Sequence, residues 1–244
     1  MNILYPVGSG MNWRRLLIAV IIVFTTFYVI HILSRRRNDA EDKKKPAGPY
    51  ERAMEGFDPK EYHTRRAFAY EAGQSYEKAM KEYQEIVKIH PEDSVTRSHL
   101  GAMYYKVGML DQAIAEIEEI LKRNPGNWGQ RESLANLYCE QGRYDLAIEE
   151  YEESLRINPE NALGHRLLGK AYYEVGSYFF SIAEYKKSME IDPTAGEAYF
   201  GLGICYIARG EMKAALEQKR ILEKINEELA AGLSEKIEKA RGPE

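Results

Sequence analysis

Residues 128–176 read WGQRESLANLYCEQGRYDLAIEEYEESLRINPENALGHRLLGKAYYEVG. Within this stretch Leu134-Ala135, Tyr138, Gly142, Ala147 and Pro159 are answered by Leu168-Gly169, Tyr172, Gly176, Ser181 and, beyond it, Pro193, each 34 residues later. The same register runs outward in both directions, through Pro91 and Pro125, Gly108 and Gly210, Leu100 and Leu202, and Tyr70, Tyr104 and Tyr206. Self-similarity at one fixed period means an array of small supersecondary units. Each unit is too small to bury its own apolar face and must stack on the next.

Every period divides into two short amphipathic helices. In Leu168-Gly169-x-x-Tyr172 a bulky apolar residue, a small one and an aromatic share one face of the first helix. The small residue admits a close second helix, whose facing stripe comes from pairs such as Ala147 with Tyr151 or Ala113 with Ile117. The recurrent glycine stands where the first helix ends and a left-handed residue is needed. The proline closes the second helix, because the residue before it is disfavoured in the α region. Asp93, Asn127 and Asn161 then take the N-cap of the following unit.

These residues resemble the tetratricopeptide repeat, whose period is 34 residues. Counted from the prolines, the repeats are 60–93, 94–127, 128–161, 162–195 and 196–229. The resemblance implies an all-α, right-handed solenoid of five helix-turn-helix repeats followed by a C-terminal capping helix. The family's early Trp is absent, and His63, Arg97, Arg131, His165 and Tyr199 stand in its place. The first repeat has Arg66 where Leu is expected, and its Gly73 comes one residue early. The fifth has Lys219 where an apolar or aromatic residue is expected, and no closing proline. Such polar departures suit terminal repeats, which need one solvated face.

Both ends of the array carry closing signals. Asp58-Pro59-Lys60-Glu61 reads as an N-cap, a first-position proline and a capping-box glutamate. After the last repeat Asn226-Glu227-Glu228 opens a further helix with Leu229, Leu233 and Ile237 as its apolar stripe. The array is therefore placed at 58–229, with the cap and tail at 230–244.

The head of the chain has a different character. The 244 residues carry a formal net charge of −4, yet residues 1–45 hold eight Lys/Arg against three acids, a net of +5 that leaves −9 for the rest. After a short tail at 1–15, residues 16–33 read LLIAVIIVFTTFYVIHIL, 18 residues without a formal charge. A helix of that length spans roughly 27 Å, close to the hydrocarbon core of a bilayer. Trp13 and Tyr28 sit where interfacial rings are favoured, and Ser34-Arg35-Arg36-Arg37 offers no small-x-small cleavage site. An uncleaved single-pass membrane anchor is expected, with either Met1 or Met11 as the start. A linker follows at 34–57, charged first and then broken by Pro46-Ala47-Gly48-Pro49. The six Lys/Arg after the run outweigh the two before it. That bias favours a cytoplasmic body at the inner membrane. Arg14 and Arg15 leave the opposite orientation open.

No catalytic constellation is present in the sequence. The five histidines lack metal-ligand spacing, and Cys139 and Cys205 fall in different repeats as small packing residues. Gly201-Leu202-Gly203 lacks the strand and third glycine of a dinucleotide loop. Glu149, Glu150, Glu152 and Glu153 read as a solvated helix face. An acidic body disfavours nucleic acid as a partner. Neither an enzyme nor a cofactor is expected; the expected function is recognition of a protein or peptide.

In the family, the first helix of each repeat lines the inner surface. The resemblance carries this onto Phe68, then Ser98, Ala102 and Tyr105, then Glu132, Asn136 and Cys139, then Arg166, Lys170 and Tyr173, and finally Phe200, Ile204 and Ile207. Asn136, Arg166 and Lys170 would form a basic, hydrogen-bonding patch suited to an acidic side chain or a terminal carboxylate. Phe200, Ile204 and Ile207 would make an apolar end, either open or covered by the C-terminal helix. A membrane-anchored adaptor that binds its partner in this groove and aids assembly of a membrane-associated complex is the leading expectation. The alternatives are a scaffold that self-assembles into homo-oligomers through the apolar end near Ile207, or a regulatory subunit of a membrane enzyme.

Overall fold

Two helices per period follow from the local chemistry, and the computed structural model, which describes residues 58–241, has them in order. The pairs are α1 (Pro59–Ala72) with α2 (Tyr76–Ile89), α3 (Ser94–Lys106) with α4 (Leu110–Arg123), and α5 (Trp128–Glu140) with α6 (Tyr144–Ile157). They continue as α7 (Ala162–Glu174) with α8 (Tyr178–Ile191) and α9 (Gly196–Ala208) with α10 (Met212–Ile225), and α11 (Glu227–Arg241) follows. The described residues form an all-α solenoid in which each helix packs on the next, and α11 lies on both helices of the last pair. The cap begins at Glu227, three residues before the boundary expected from the repeat count. The anchor expected at 16–33 and the linker at 34–57 lie outside the described residues. Among the described residues no helix is long and apolar enough to cross a membrane.

The helix ends obey the capping chemistry. Asp93 accepts from the backbone N–H of Val95 and Thr96, Asn127 from Gln130, and Asn161 from Gly164. Gly108, Gly142, Gly176 and Gly210 all take φ between 71° and 79°, where a side chain would be strained. The first repeat reaches the same turn with Gln74 at φ 54°, the one non-glycine with positive φ among the described residues. Its neighbour Gly73 keeps an ordinary φ of −85°, so the early glycine does not serve as the turn residue. Asp58 caps α1 by accepting from Lys60 and Glu61 N–H. The expected capping box is incomplete, because the Glu61 carboxylate turns to Arg65 at 2.7 Å instead.

Small residues set the helix spacing. A Cβ on Gly169 would lie 3.2 Å from the Tyr185 ring and 3.3 Å from the Ser181 carbonyl, so α8 rests directly on the α7 backbone. The core runs along the array as successive clusters, with Leu100, Leu134, Leu168 and Leu202 each almost fully buried.

A second set of contacts stitches the repeats. The residue that replaces the family's Trp reaches forward 19 positions to a carboxylate on its partner helix: His63 to Glu82 at 2.7 Å, Arg97 to Glu116 at 2.5 Å, Arg131 to Glu150 at 2.6 Å and His165 to Glu184 at 2.6 Å. From the second repeat onward it also reaches back six positions to the carbonyl of the preceding repeat's proline. Arg97 meets Pro91 at 2.8 Å, Arg131 meets Pro125 at 3.1 Å, His165 meets Pro159 at 2.9 Å and Tyr199 meets Pro193 at 3.2 Å. One side chain thus ties both helices of its repeat to the repeat before. The conserved-register tyrosines add a further tie, with Tyr104 bonded to Gln84 and Tyr172 to Glu152 on the preceding helix.

Candidate functional site

The first helices line an open cavity of about 710 Å³ running from α3 across α5 to α7. Ser98, Ala102 and Tyr105 contribute from α3, Gln130, Ser133, Asn136, Cys139 and Glu140 from α5, and Lys170 and Glu174 from α7. Tyr144 and Tyr151 reach in from α6. The lining is rich in hydroxyl and amide groups, which suits hydrogen bonding to a chain's peptide groups. Burial raises the Cys139 thiol above its ordinary pKa, so it sits there as a neutral packing group. The Tyr151 hydroxyl donates to the Asn136 carbonyl oxygen at 2.6 Å, which fixes the Asn136 amide and leaves its NH2 facing the groove.

A smaller cavity of about 250 Å³ lies beside it between α7 and α9. Arg166, Lys170, Tyr173, Tyr185, Phe200 and Ile204 line it, together with Gly201 and the carboxylates Glu174 and Glu197.

The expected basic patch is thus divided. Asn136 belongs to the larger cavity and Arg166 to the smaller, with Lys170 on the wall between. Glu140 and Glu174 on one side, and Glu174 and Glu197 on the other, keep both regions close to neutral. Tyr105 lines the larger cavity and Tyr173 the smaller. Phe200, Ile204 and Ile207 pack, partly buried, against the cluster of Leu233 and Ile237, so α11 covers much of the apolar end. Ile207 lines neither cavity. Glu132 is also withdrawn from the surface: it is buried, accepts from the Asn161 side chain at 2.5 Å, and burial raises its pKa. Phe68 remains exposed, edge-on to Tyr83 and His99.

A model of the TPR repeat matches residues 135–176, and one of the tetratricopeptide repeat matches residues 64–93. These two segments are thus similar to tetratricopeptide repeats. The solenoid of the described residues is also similar to solved structures. One titled "Crystal structure of MamA" is 20% identical, covering 68% of this chain and 96% of that one with a TM-score of 0.63. One titled "MamA 41-end from Desulfovibrio magneticus RS-1" is 20% identical with a TM-score of 0.64, covering 68% and 95%. A third, "MamA RS-1 ArsTM double mutant", is 19% identical with a TM-score of 0.66, covering 70% and 97%. At this identity the likeness concerns the fold alone. No curated protein matches the chain.

Two groups in the array have roles that the sequence pattern alone does not single out. Glu150 and Glu152 do not form the expected solvated face: they are partners of Arg131 and Tyr172. The signal existed: Glu82, Glu116, Glu150 and Glu184 share the 34-residue register. Tyr185 is the other, buried and part of the lining of the smaller cavity. Among the described residues no group of three or more His, Cys, Asp or Glu side chains could hold a metal ion.

Proposed function

We propose that the chain is an adaptor whose tetratricopeptide groove holds an extended segment of a protein partner, tethered to a membrane by residues 16–33. One observation carries the groove reading: a cavity of about 710 Å³, open along three consecutive first helices and lined by hydroxyl and amide groups. Tetratricopeptide repeats are protein-binding scaffolds, and a rigid array presents such groups at fixed spacing. The tether is supported by the uncharged 18-residue run and its basic flanks, which favour a cytoplasmic body. Tethering raises the effective concentration at membrane partners without any new contact, which suits assembly of a membrane-associated complex.

Full-length protein captured from membranes with its bound partners tests the groove. The variant Ala102→Arg, at an exposed position with no side-chain hydrogen bond to lose, should lose those partners while melting within a few degrees of wild type. Retention of every partner rejects the groove. Alkaline carbonate extraction tests the tether: the full chain should stay with the membrane pellet, and release into the supernatant rejects an integral anchor.

A further inference from the structure

We infer that an aromatic patch on α8 is a membrane-contact surface. Phe179 and Phe180 enter the interface of an anionic bilayer while Lys186 and Lys213 meet its lipid headgroups. This rests on the tether proposed above and concerns the second helices; none of these four residues lines either cavity.

The 34-residue register shows how far α8 departs from its equivalents. The second helices of the first three repeats each carry an acid in their first turn: Glu77, Asp111 and Asp145. There the helix dipole favours negative charge. The fourth repeat puts Phe179 at that position and leaves it 72% exposed. Phe180 beside it is 55% exposed, and Val175 in the preceding turn is exposed as well. Val95 and Leu163 are also exposed, but neither has a second large apolar residue beside it in sequence. Single apolar residues on a surface need no partner, whereas a cluster does. The two rings are also held in place. Phe179 meets Phe180 edge-on at 5.6 Å, and Phe180 stacks on Tyr172 at 5.3 Å. Tyr172 is fixed in turn by its hydrogen bond to Glu152.

The charge reverses in the same repeat. Glu118 on α4 and Glu152 on α6 are exposed, and the same position on α8 is Lys186. Lys186 follows Phe179 by seven residues, two turns, and so shares its side of the helix. Its neighbour Lys187 pairs with Glu184 at 2.8 Å, whereas Lys186 has no ion pair among the described residues. Lys213 is exposed at the place on α10 that Phe179 holds on α8, and it has no ion pair there either. The acids nearest in register are Glu190 on α8 and Glu217 on α10, the latter facing Arg220 at 3.8 Å. Exposed rings flanked by free ammonium groups fit an anionic bilayer, where rings sit at headgroup level and lysines meet phosphates. The chain supplies the proximity. The 24 residues of the linker at 34–57 reach roughly 80 Å at full extension. A tethered array therefore meets the bilayer as an intramolecular partner, and a small surface is enough to hold it there.

Tryptophan fluorescence of the full chain in lipid vesicles tests this. With Trp13→Phe and Trp128→Phe removing both native indoles, Phe179→Trp reports on the patch alone. The vesicles contain phosphatidylcholine and phosphatidylserine, with or without bromine on the acyl chains. Bromination should quench the Phe179→Trp emission by about half or more, as for a ring seated at the boundary of headgroups and acyl chains. Asp145→Trp, the equivalent position one repeat earlier, should not be quenched. Lys186→Glu with Lys213→Glu should abolish most of the Phe179→Trp quenching, as should leaving out phosphatidylserine. Unquenched Phe179→Trp emission overturns the surface, and so does equal quenching of Asp145→Trp. Quenching that survives both the lysine substitutions and the loss of phosphatidylserine overturns the assignment to anionic lipid. A second copy is the rival occupant: if Phe179→Ser lowers the sedimenting mass of the protein in detergent, the patch is a self-contact and lipid docking is overturned. Phe179 and Asp145 are exposed, so both tryptophan variants should keep the melting temperature of their parent. If Trp128→Phe lowers that temperature, Trp128 is kept, and the difference from the parent carrying Phe179 gives the same reading. Tether and surface fail separately. Retention in the carbonate pellet with unquenched Phe179→Trp removes only the surface. Release by carbonate, with quenching intact in neutral buffer, removes only the integral anchor.

Discussion

The seam between the second and third repeats and the seam at the C-terminal end close equivalent surfaces by different chemistry. In the first, Arg131 donates to the Pro125 carbonyl at 3.1 Å and to Glu150 at 2.6 Å, a directional tie between repeats. In the last repeat the same positions are Tyr199 and Gln218. Tyr199 makes a single 3.2 Å bond to Pro193, and the buried Gln218 Oε1 has no hydrogen-bond partner among the described residues. Apolar burial does the closing there. Leu233 of α11 is fully buried against Gly203, where a Cβ would lie 2.6 Å from its methyl group. An interior repeat must match a neighbour on each side, and directional polar ties fix that register. A terminal repeat needs only to be covered, and an amphipathic helix suffices.

The sharpest way to break this contrast is to remove the cover. Leu233→Ala should cost about 3 kcal/mol of stability in urea unfolding, because the tight α9 contact leaves little room for collapse. Next comes the polar tie. Arg131→Gln should cost about 2 kcal/mol, since Glu150 is left part-buried without its cation. Tyr199→Phe, which loses one neutral bond, should cost less than about 1 kcal/mol. Equal losses at the two positions would erase the contrast.

The fourth repeat adds a titratable version of the tie. His165 places Nδ1 2.6 Å from the Glu184 carboxylate and Nε2 2.9 Å from the Pro159 carbonyl. Both neighbours accept, so the ring must donate twice and carry a proton on each nitrogen. The bond to Glu184 raises the His165 pKa despite burial, with Lys187 opposing. Burial alone would raise Glu184, but bonds from His165 and Lys187 hold it below the ordinary range. The histidine's contribution is therefore complete below its ordinary pKa and is lost as pH rises through the elevated one. The glutamate's contribution is present above its ordinary pKa and is lost as pH falls through the depressed one. Thermal stability should peak in mildly acidic buffer and fall by about 1.5 kcal/mol toward alkaline pH. His165→Arg should remove that alkaline decline, as at Arg97 and Arg131. An unchanged profile would show that the histidine does not titrate in the tie. The smallest effect is at the first turn: Gln74→Gly should raise stability by up to about 1 kcal/mol, measured by thermal melts, by relieving the left-handed glutamine.

The parts of the fold readable from sequence were those fixed by chemistry within a few residues. Asp93, Asn127 and Asn161 cap helices, and Gly108, Gly142, Gly176 and Gly210 take the left-handed turn, because those conformations depend on local groups. Contacts across helices were less legible. The Arg131–Glu150 pair spans 19 residues, and a glutamate beside Arg156 reads equally well as solvated until the partner helix is placed. The candidate groove was readable in outline, since Asn136, Lys170 and Tyr105 do line one cavity. The division of its charges was not. Asn136 and Lys170 share a register and Arg166 lies one turn before Lys170, but Lys170 stands on the wall between two cavities, and the carboxylates that balance the cations sit at helix ends. Ile207 was drawn from the groove by α11, whose packing depends on the close approach at Gly203.

The backward tie from each repeat to the preceding proline makes the rungs of this ladder interchangeable. Removing residues 94–127 would join Asp93 to Trp128 and set Arg131 six positions after Pro91, where Arg97 now stands. The cut ends would find a complete seam waiting. The length of the binding surface can change by whole rungs without redesigning a single joint, while a deletion of any other size would leave an arginine facing the wrong carbonyl.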